Sequence, residues 1–218
     1  MRAVDGTDSN RILRADLEAL PPNQQASLHL VAVLPSPLLP FEAIEVRCLN
    51  TGTRPATKGP RLFLSSVEEA VEAALRYRTD WDVFFGVGTR TCPDALSMND
   101  CPHEQKGSDH VSRLQAIWGD FDAKDGGRSV DEMEAMLQEL PVPPEVLVAS
   151  GKGLHAYWPL LEPVVEAKRV ESVNRSLRIR YGADNAVDAA RILRVAGTFN
   201  HKYGEPLPVH LMRVSDAD

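Results

Sequence analysis

No stretch of this chain approaches the roughly 18 consecutive apolar residues that cross a bilayer. The N-terminus lacks a basic flank, an apolar segment and a cleavage signal, so the expectation is a cytoplasmic protein without a membrane partner. Cysteine is scarce. Three are spread through 218 residues, an odd number that argues against a secreted disulfide framework. Excess positive charge is missing as well: the formal net charge is −7, without the basic footprint that nucleic-acid binding usually leaves. There is no repeat, no low-complexity tract and no helicase signature. What is present is 43% hydrophobic residues, enough to build a core in one large or two small domains.

Net charge is an average, and the chain is locally basic. Arg169, Arg175, Arg178, Arg180, Arg191, Arg194 and Lys202 face only Glu171, Asp184 and Asp188 within the same stretch. Such a surface beside an acidic site suits a phosphate-bearing substrate. A solvated helix face explains Arg169 to Arg180 equally well.

Periodicity orders the chain as follows. Met1 to Asn10 reads as a loose terminus, and Asp16 to Leu20 as the end of a short helix stopped by Pro21-Pro22. Leu28 to Leu34 has strand character, closed by prolines 35, 37 and 40. Phe41 to Leu49 alternates, with Ile44, Val46 and Cys48 on one side and Glu45, Arg47 and Leu49 on the other. Arg61 to Leu64 is a short strand. Ser65-Ser66 opens a helix with Val67, Ala70, Val71, Ala74 and Leu75 as its apolar stripe, and Val83 to Val87 is a buried strand. Thr89 to Val111 breaks the periodicity before a strand at Leu114 to Phe121. Val130 to Leu140 is helical, with Met133 and Met136 read as core. Strands at Val146 to Ala149 and Leu154 to Trp158 flank a glycine turn. Pro163 to Arg180 has helical spacing, and Val209 to Val214 is a final strand. Strands separated by single helices imply α+β or mixed α/β layers.

Three segments carry chemistry. In Ile117-Trp-Gly-Asp-Phe-Asp-Ala-Lys124, a strand's two-residue period puts Asp120 and Asp122 on one face and Phe121 on the other. Two adjacent carboxylates repel unless a cation lies between them, and hard oxygen ligands favour Mg²⁺ or Mn²⁺. The competing reading is an acidic strand exit followed by the turn Asp125-Gly126-Gly127.

The second segment is Ser150-Gly-Lys-Gly-Leu-His155, two strands joined by a glycine turn. Gly151 and Gly153 let backbone N–H groups converge on an anion, while Ser150, Lys152 and His155 offer side chains to phosphate. Its spacing is not that of a nucleotide P-loop. An ordinary hairpin is the alternative. The third runs from Asp188 to Lys202. Asp188 offers another oxygen ligand, Arg191 and Arg194 can hold phosphate, and Gly197-Thr198 permits a sharp turn. Asp184 lies four residues earlier beside the Tyr181-Gly182 breaker; Asp188 is the preferred ligand, and a salt-bridged helix the alternative.

The polar insertion at 89–111 contains Cys92, Cys101, His103 and His110, a donor set suited to structural Zn²⁺. Packed or exposed residues without metal are the competing reading, and a redox role a third. Arg90 ends the run Phe85-Gly-Val-Gly-Thr-Arg90 as a candidate for nucleotide or template phosphate. Arg47, on an outward strand face, and Arg194 are further candidate nucleic-acid contacts.

Taken in order, Asp120-Phe-Asp122, Ser150-Gly-Lys-Gly-Leu-His155 and Val187-Asp188 resemble the three motifs of the archaeo-eukaryotic primase superfamily. Asp188 to Lys202 also resembles the Asp-x-x-Arg-x-x-Arg-x-x-Gly-Thr-x-Asn-x-Lys signature of its plasmid, phage and mobile-element branch, with Ala196 where that branch often has proline. The resemblance covers roughly residues 41 to 203. It implies an α+β fold with an RRM-like catalytic sheet packed against a smaller α/β module. Residues 41–214 would form the primase-polymerase domain, and 1–40 an extension or part of that module. It implies two divalent ions, Mg²⁺ or Mn²⁺, on Asp120, Asp122 and Asp188, with Ser150, His155 and Arg191 at the nucleotide and Lys152 in the same turn. The implied activity is template-directed nucleotidyl transfer as a DNA primase or polymerase. A single-stranded DNA template and primer, dNTP or NTP, and a helicase or other replication protein are the implied partners. A noncatalytic replication-initiation domain that binds nucleic acid, and a two-metal phosphohydrolase or nuclease, are the competing functions.

Overall fold

The computed structural model describes residues 14–52, 57–91, 108–123 and 127–215, and no helix among them is long and apolar enough to cross a membrane. Helix α1 (Arg14–Ala19) stops before Pro21, and α2 (Pro22–Val33) starts with proline in its first turn, where the missing N–H is no loss. The strand expected at Leu28 to Leu34 is instead the second half of α2. Its buried residues Gln25, Ala26, His29, Leu30 and Val33 follow helical spacing. A short apolar run is compatible with either structure by periodicity alone, and the Pro22 start carries the helix through it.

The alternating segment forms β1 (Glu42–Asn50), paired antiparallel with β2 (Thr57–Leu64). Helix α3 (Val67–Tyr77) is capped by Ser66, whose hydroxyl accepts from the Glu69 N–H. Then come β3 (Asp82–Gly86) and β4 (Gly88–Thr91). The order expected to fail from Thr89 thus persists to Thr91. Strand β5 (Val111–Asp122) precedes α4 (Val130–Gln138), which a Ser129–Glu132 capping box starts. Strands β6 (Val146–Ala149) and β7 (Gly153–Val164) follow. Helix α5 (Ala167–Tyr181) begins four residues later than the spacing predicts, because β7 runs through Pro163. Strands β8 (Ile192–Arg194), β9 (Phe199–Asn200), β10 (Leu207–Pro208) and β11 (His210–Val214) complete the α+β fold.

Nine strands form one sheet, in the order β11-β6-β7-β5-β4-β1-β3-β8 with β2 beside β1. Strands β3 and β4 are a single line bent at Val87. Strand β1 flanks one edge of both. The other edge divides: β8 pairs with Phe84–Gly86, and β5 with Gly88 and Arg90. Two strands that begin at opposite ends of the chain's chemistry thereby diverge from one bend, and the Val87 N–H donates to the Arg191 carbonyl at 3.1 Å between them. One core lies under α2 and α3, with Leu30, Phe85, Trp118 and Tyr157; the other lies under α4 and α5, with Phe121, Met133, Leu137 and Trp158.

Candidate active site

Strand β5 delivers Asp120 and Asp122 to the face opposite Phe121, which is buried in the α4–α5 core. Burial, followed by the charge of Asp184, raises the Asp120 pKa to about 6. Burial and the charges of Asp120 and Asp184 also raise that of Asp122, and a hydrogen bond with the Asp184 side chain adds to the shift. The Asp120 Oδ1 is buried without a hydrogen-bond partner. An orphaned carboxylate oxygen among like charges is the chemistry a divalent cation relieves, so these residues fit a hard metal ion. Among the described residues, no group of three or more His, Cys, Asp or Glu forms a self-sufficient metal site. Bound ions would draw further oxygens from water and substrate phosphates, as Mg²⁺ commonly does.

The glycine turn lies directly beside this pair. Asp120 is the cross-strand partner of His155, and Asp122 of Gly153. A side chain at Gly153 would press on Asp122 Oδ1 at 2.8 Å and on Ser150 Oγ at 3.1 Å. Gly151 has φ +104°, a left-handed conformation that favours glycine. His155 is buried, its Nε2 3.6 Å from Asp120 Oδ1, and burial lowers its pKa to about 3. It is therefore a neutral imidazole near pH 7, able to donate one N–H but carrying no charge for phosphate. Lys152 is exposed, its Nζ 4.3 Å from the Tyr203 ring centre.

The third segment closes around the other two. Asn200 Nδ2 donates to the Ser150 carbonyl at 2.6 Å, latching the Gly-Thr-Phe-Asn run onto the glycine turn. Gly197, at φ +81°, lies so close to the Pro22 carbonyl that any side chain would collide with it. Arg194 donates to Asp82 at 3.1 Å and, with Arg191 and Lys202, offsets the raised pKa of Asp120. Buried Asp82 also accepts from the N–H of Thr51 and of His201, a structural hub with no motif to mark it.

The structure brings Asp184 to the aspartate pair: its N–H donates to the Asp120 carbonyl at 2.6 Å, and its charge acts on both carboxylates. Asp188 instead pairs with Arg191 at 2.8 Å, half-exposed. Arg191 also donates to the Asn185 carbonyl, and its Nε is buried without a partner. Arg90 is 2% exposed and bonds to Glu45 and to the Ala190 carbonyl, which makes it an internal strut rather than a surface cation. Arg47 remains partly exposed and is paired with Glu45. Of the zinc candidates, His110 ends a 3-10 turn at Ser108–His110, whereas Cys92, Cys101 and His103 lie outside the described residues.

No protein-family model matches the sequence, and no curated protein matches it either. Solved structures do match in fold. The AEP domain of the primase-polymerase (PrimPol) of cyanophage S-2L superposes with a TM-score of 0.61 at 18% identity, covering 88% of this chain and 90% of that one. The primase RepB′ gives 0.54 at 16% identity over 88% of this chain and 56% of that one. Its catalytic domain in complex with initiator DNA gives 0.53 at 17% identity, covering 88% and 85%. The chain has the fold of these primase-type domains of mobile elements.

Proposed function

We propose that this chain is a nucleotidyltransferase, the catalytic domain of a DNA primase-polymerase that extends or starts a strand on single-stranded DNA from dNTP or NTP. The observation that carries the reading is Asp120: a buried, unpartnered carboxylate oxygen one strand away from a glycine turn, on a fold shared with primase-polymerases. When bound, a pair of Mg²⁺ or Mn²⁺ ions would lower the pKa of the attacking hydroxyl and neutralise charge on departing pyrophosphate.

The side chains divide that work. Asp120 and Asp122 hold the ions, with Asp184 as the third carboxylate. Asp188 orients Arg191 toward the triphosphate. The Ser150 to His155 turn receives phosphate through backbone N–H groups, the Ser150 hydroxyl, Lys152 and the single N–H of neutral His155. Arg194 and Lys202 offset negative charge as the polyanion enters. In this reading residues 41–214 form the catalytic domain, with 1–40 as an extension or part of its α/β module.

Extension of a labelled primer on a single-stranded template, alongside primer-free synthesis, tests the proposal. Asp120→Asn and Asp122→Asn, each folded by circular dichroism, are expected to lose activity by two orders of magnitude or more, the equivalent of roughly 2.7 kcal/mol. Full activity in either variant would remove the assignment. Strand cleavage without incorporation would establish the two-metal phosphohydrolase instead, and template binding with neither activity the noncatalytic module.

A further inference from the structure

Behind the aspartates lie three buried side chains that each keep one polar atom without a hydrogen-bond partner among the described residues: His155 Nδ1, the Tyr157 hydroxyl and His29 Nε2. His155 and Tyr157 are two residues apart on β7, so both project from one face of the sheet, and Tyr157 packs in the core under α2 and α3. Helix α2 sets His29 against them. The ring centres of His29 and Tyr157 are 5.2 Å apart, and those of Tyr157 and His155 6.4 Å. At the other end His155 Nε2 is 3.6 Å from Asp120 Oδ1. The line thus runs from α2 to the acidic pair.

One end of it has a fixed polarity. The Ala196 N–H donates to His29 Nδ1 at 3.2 Å, and burial keeps the His29 ring neutral, its pKa lowered to about 3. A neutral imidazole that accepts at Nδ1 carries its proton on Nε2. His29 Nε2 is therefore a buried donor in need of an acceptor. The Tyr157 hydroxyl can receive one hydrogen and pass one on, and His155 Nδ1 is the remaining orphan. Buried polar atoms grouped in this way are ordinarily satisfied by internal water, at about three hydrogen bonds per water. Along such a chain each hydroxyl gives a hydrogen onward for the one it receives. A chain that starts on a donor ends on an acceptor; N–H groups at both ends would leave one hydrogen without a place.

We propose that His29 and Tyr157 are positioning residues that, through buried water, hold His155 in the tautomer with a bare Nδ1 and the proton on Nε2, the nitrogen beside Asp120. That tautomer offers an N–H to nucleotide phosphate, whereas the other would turn a lone pair toward a polyanion. The device is particular to this chain. Proline, frequent at position 196 in the branch the chain resembles, has no N–H with which to set His29.

The role of the His155 N–H rests on the nucleotidyltransferase reading, but its tautomer is a property of the protein without nucleotide, so one test separates the two. The full chain is labelled with nitrogen-15 in its six histidines, and the protonated and bare ring nitrogens are distinguished by NMR, with signals assigned by His29→Gln and His155→Gln. Wild type is expected to carry the His155 proton on Nε2. Tyr157→Phe removes only the hydroxyl and should populate the Nδ1–H form. Its KM for nucleotide in primer extension should rise about tenfold, as for one lost hydrogen bond to a charged group, with a smaller change in kcat. His29→Leu should act alike, and provides the same readout if Tyr157→Phe does not fold. His29→Gln keeps an N–H donor and should return tautomer and KM toward wild type. A wild-type proton on Nδ1 would overturn the proposal, as would an Nε2–H form undisturbed in the folded variants, even with a raised KM. If the tautomer responds as expected but wild type neither binds dATP with Mn²⁺ by calorimetry nor incorporates nucleotide, the relay stands and the nucleotidyltransferase reading fails.

Discussion

The backbone N–H of Ala196 donates to His29 Nδ1 at 3.2 Å, joining α2 to the Gly-Thr turn across 167 residues of sequence. Proline at this position, as in the motif the chain resembles, has no N–H to donate. Ala196→Pro is therefore expected to destabilise the fold by about 1–3 kcal/mol, because it leaves a buried imidazole nitrogen unsatisfied. In a His29→Leu background the same substitution should cost much less. Urea unfolding of the four proteins in the cycle measures the coupling, and additive effects would disprove it.

His29 also gives stability a pH dependence of known sign. Burial lowers its pKa to about 3, with His155 adding to the shift. The unfolded chain takes up this proton below about pH 6.5, while the folded chain does not until about pH 3. The contribution is complete above pH 6.5 and is lost as pH falls through that window, by up to about 1.4 kcal/mol per pH unit. Asp120, raised to about 6, acts in the opposite direction between its folded and unfolded values. The comparison is accordingly between wild type and His29→Leu: the variant should have a shallower loss of unfolding free energy from pH 6.5 to pH 4.

The Asp120 carboxylate is destabilised by burial and by Asp184. Without divalent ions, Asp120→Asn is expected to raise thermal stability, by an amount of order 1–3 kcal/mol, while abolishing turnover. Adding Mn²⁺ should then raise the melting temperature of wild type more than that of the variant. A variant that is less stable than wild type without metal would contradict the repulsion.

Asp184 and Asp188 should separate kinetically. Asp184 acts on the aspartate pair and Asp188 pairs with Arg191. Asp184→Asn is expected to lower kcat by two orders of magnitude or more, about 2.7 kcal/mol. Asp188→Asn should chiefly raise the KM for nucleotide, by about tenfold, or 1.4 kcal/mol. The reverse pattern would assign the third ligand position to Asp188.

Glu45 is fully buried among three arginines, and Arg90, its deepest partner, has an Nη1 without a hydrogen bond. Glu45→Ala leaves a buried cation uncompensated and should destabilise by about 3–5 kcal/mol. Removing Arg90 as well, as Glu45→Leu with Arg90→Leu, should recover a large part of that loss in chemical denaturation.

Local periodicity made much of this legible. An alternating strand places Asp120 and Asp122 on one face whatever surrounds it, and Ser66 announces a helix start through its own hydroxyl. The Leu28 to Leu34 run failed because a short apolar segment satisfies both periods. Between α5 and β8 the backbone has no period, so nothing local distinguished Asp184 from Asp188; at the start of β3, no motif marked Asp82 as an anchor for Arg194 and His201, which lie more than a hundred residues away.

The sequence by itself determined the acidic pair, the glycine turn and their order along the chain, since each depends on bonds within a few residues. Only the tertiary structure decided that Arg90 is internal, that Asp184 meets the pair, and that Arg61, Arg47, Phe84 and Arg194 share one row. Those relations join segments tens to more than a hundred residues apart, and strand register and the bend at Val87, rather than neighbouring residues, fix which side chains meet.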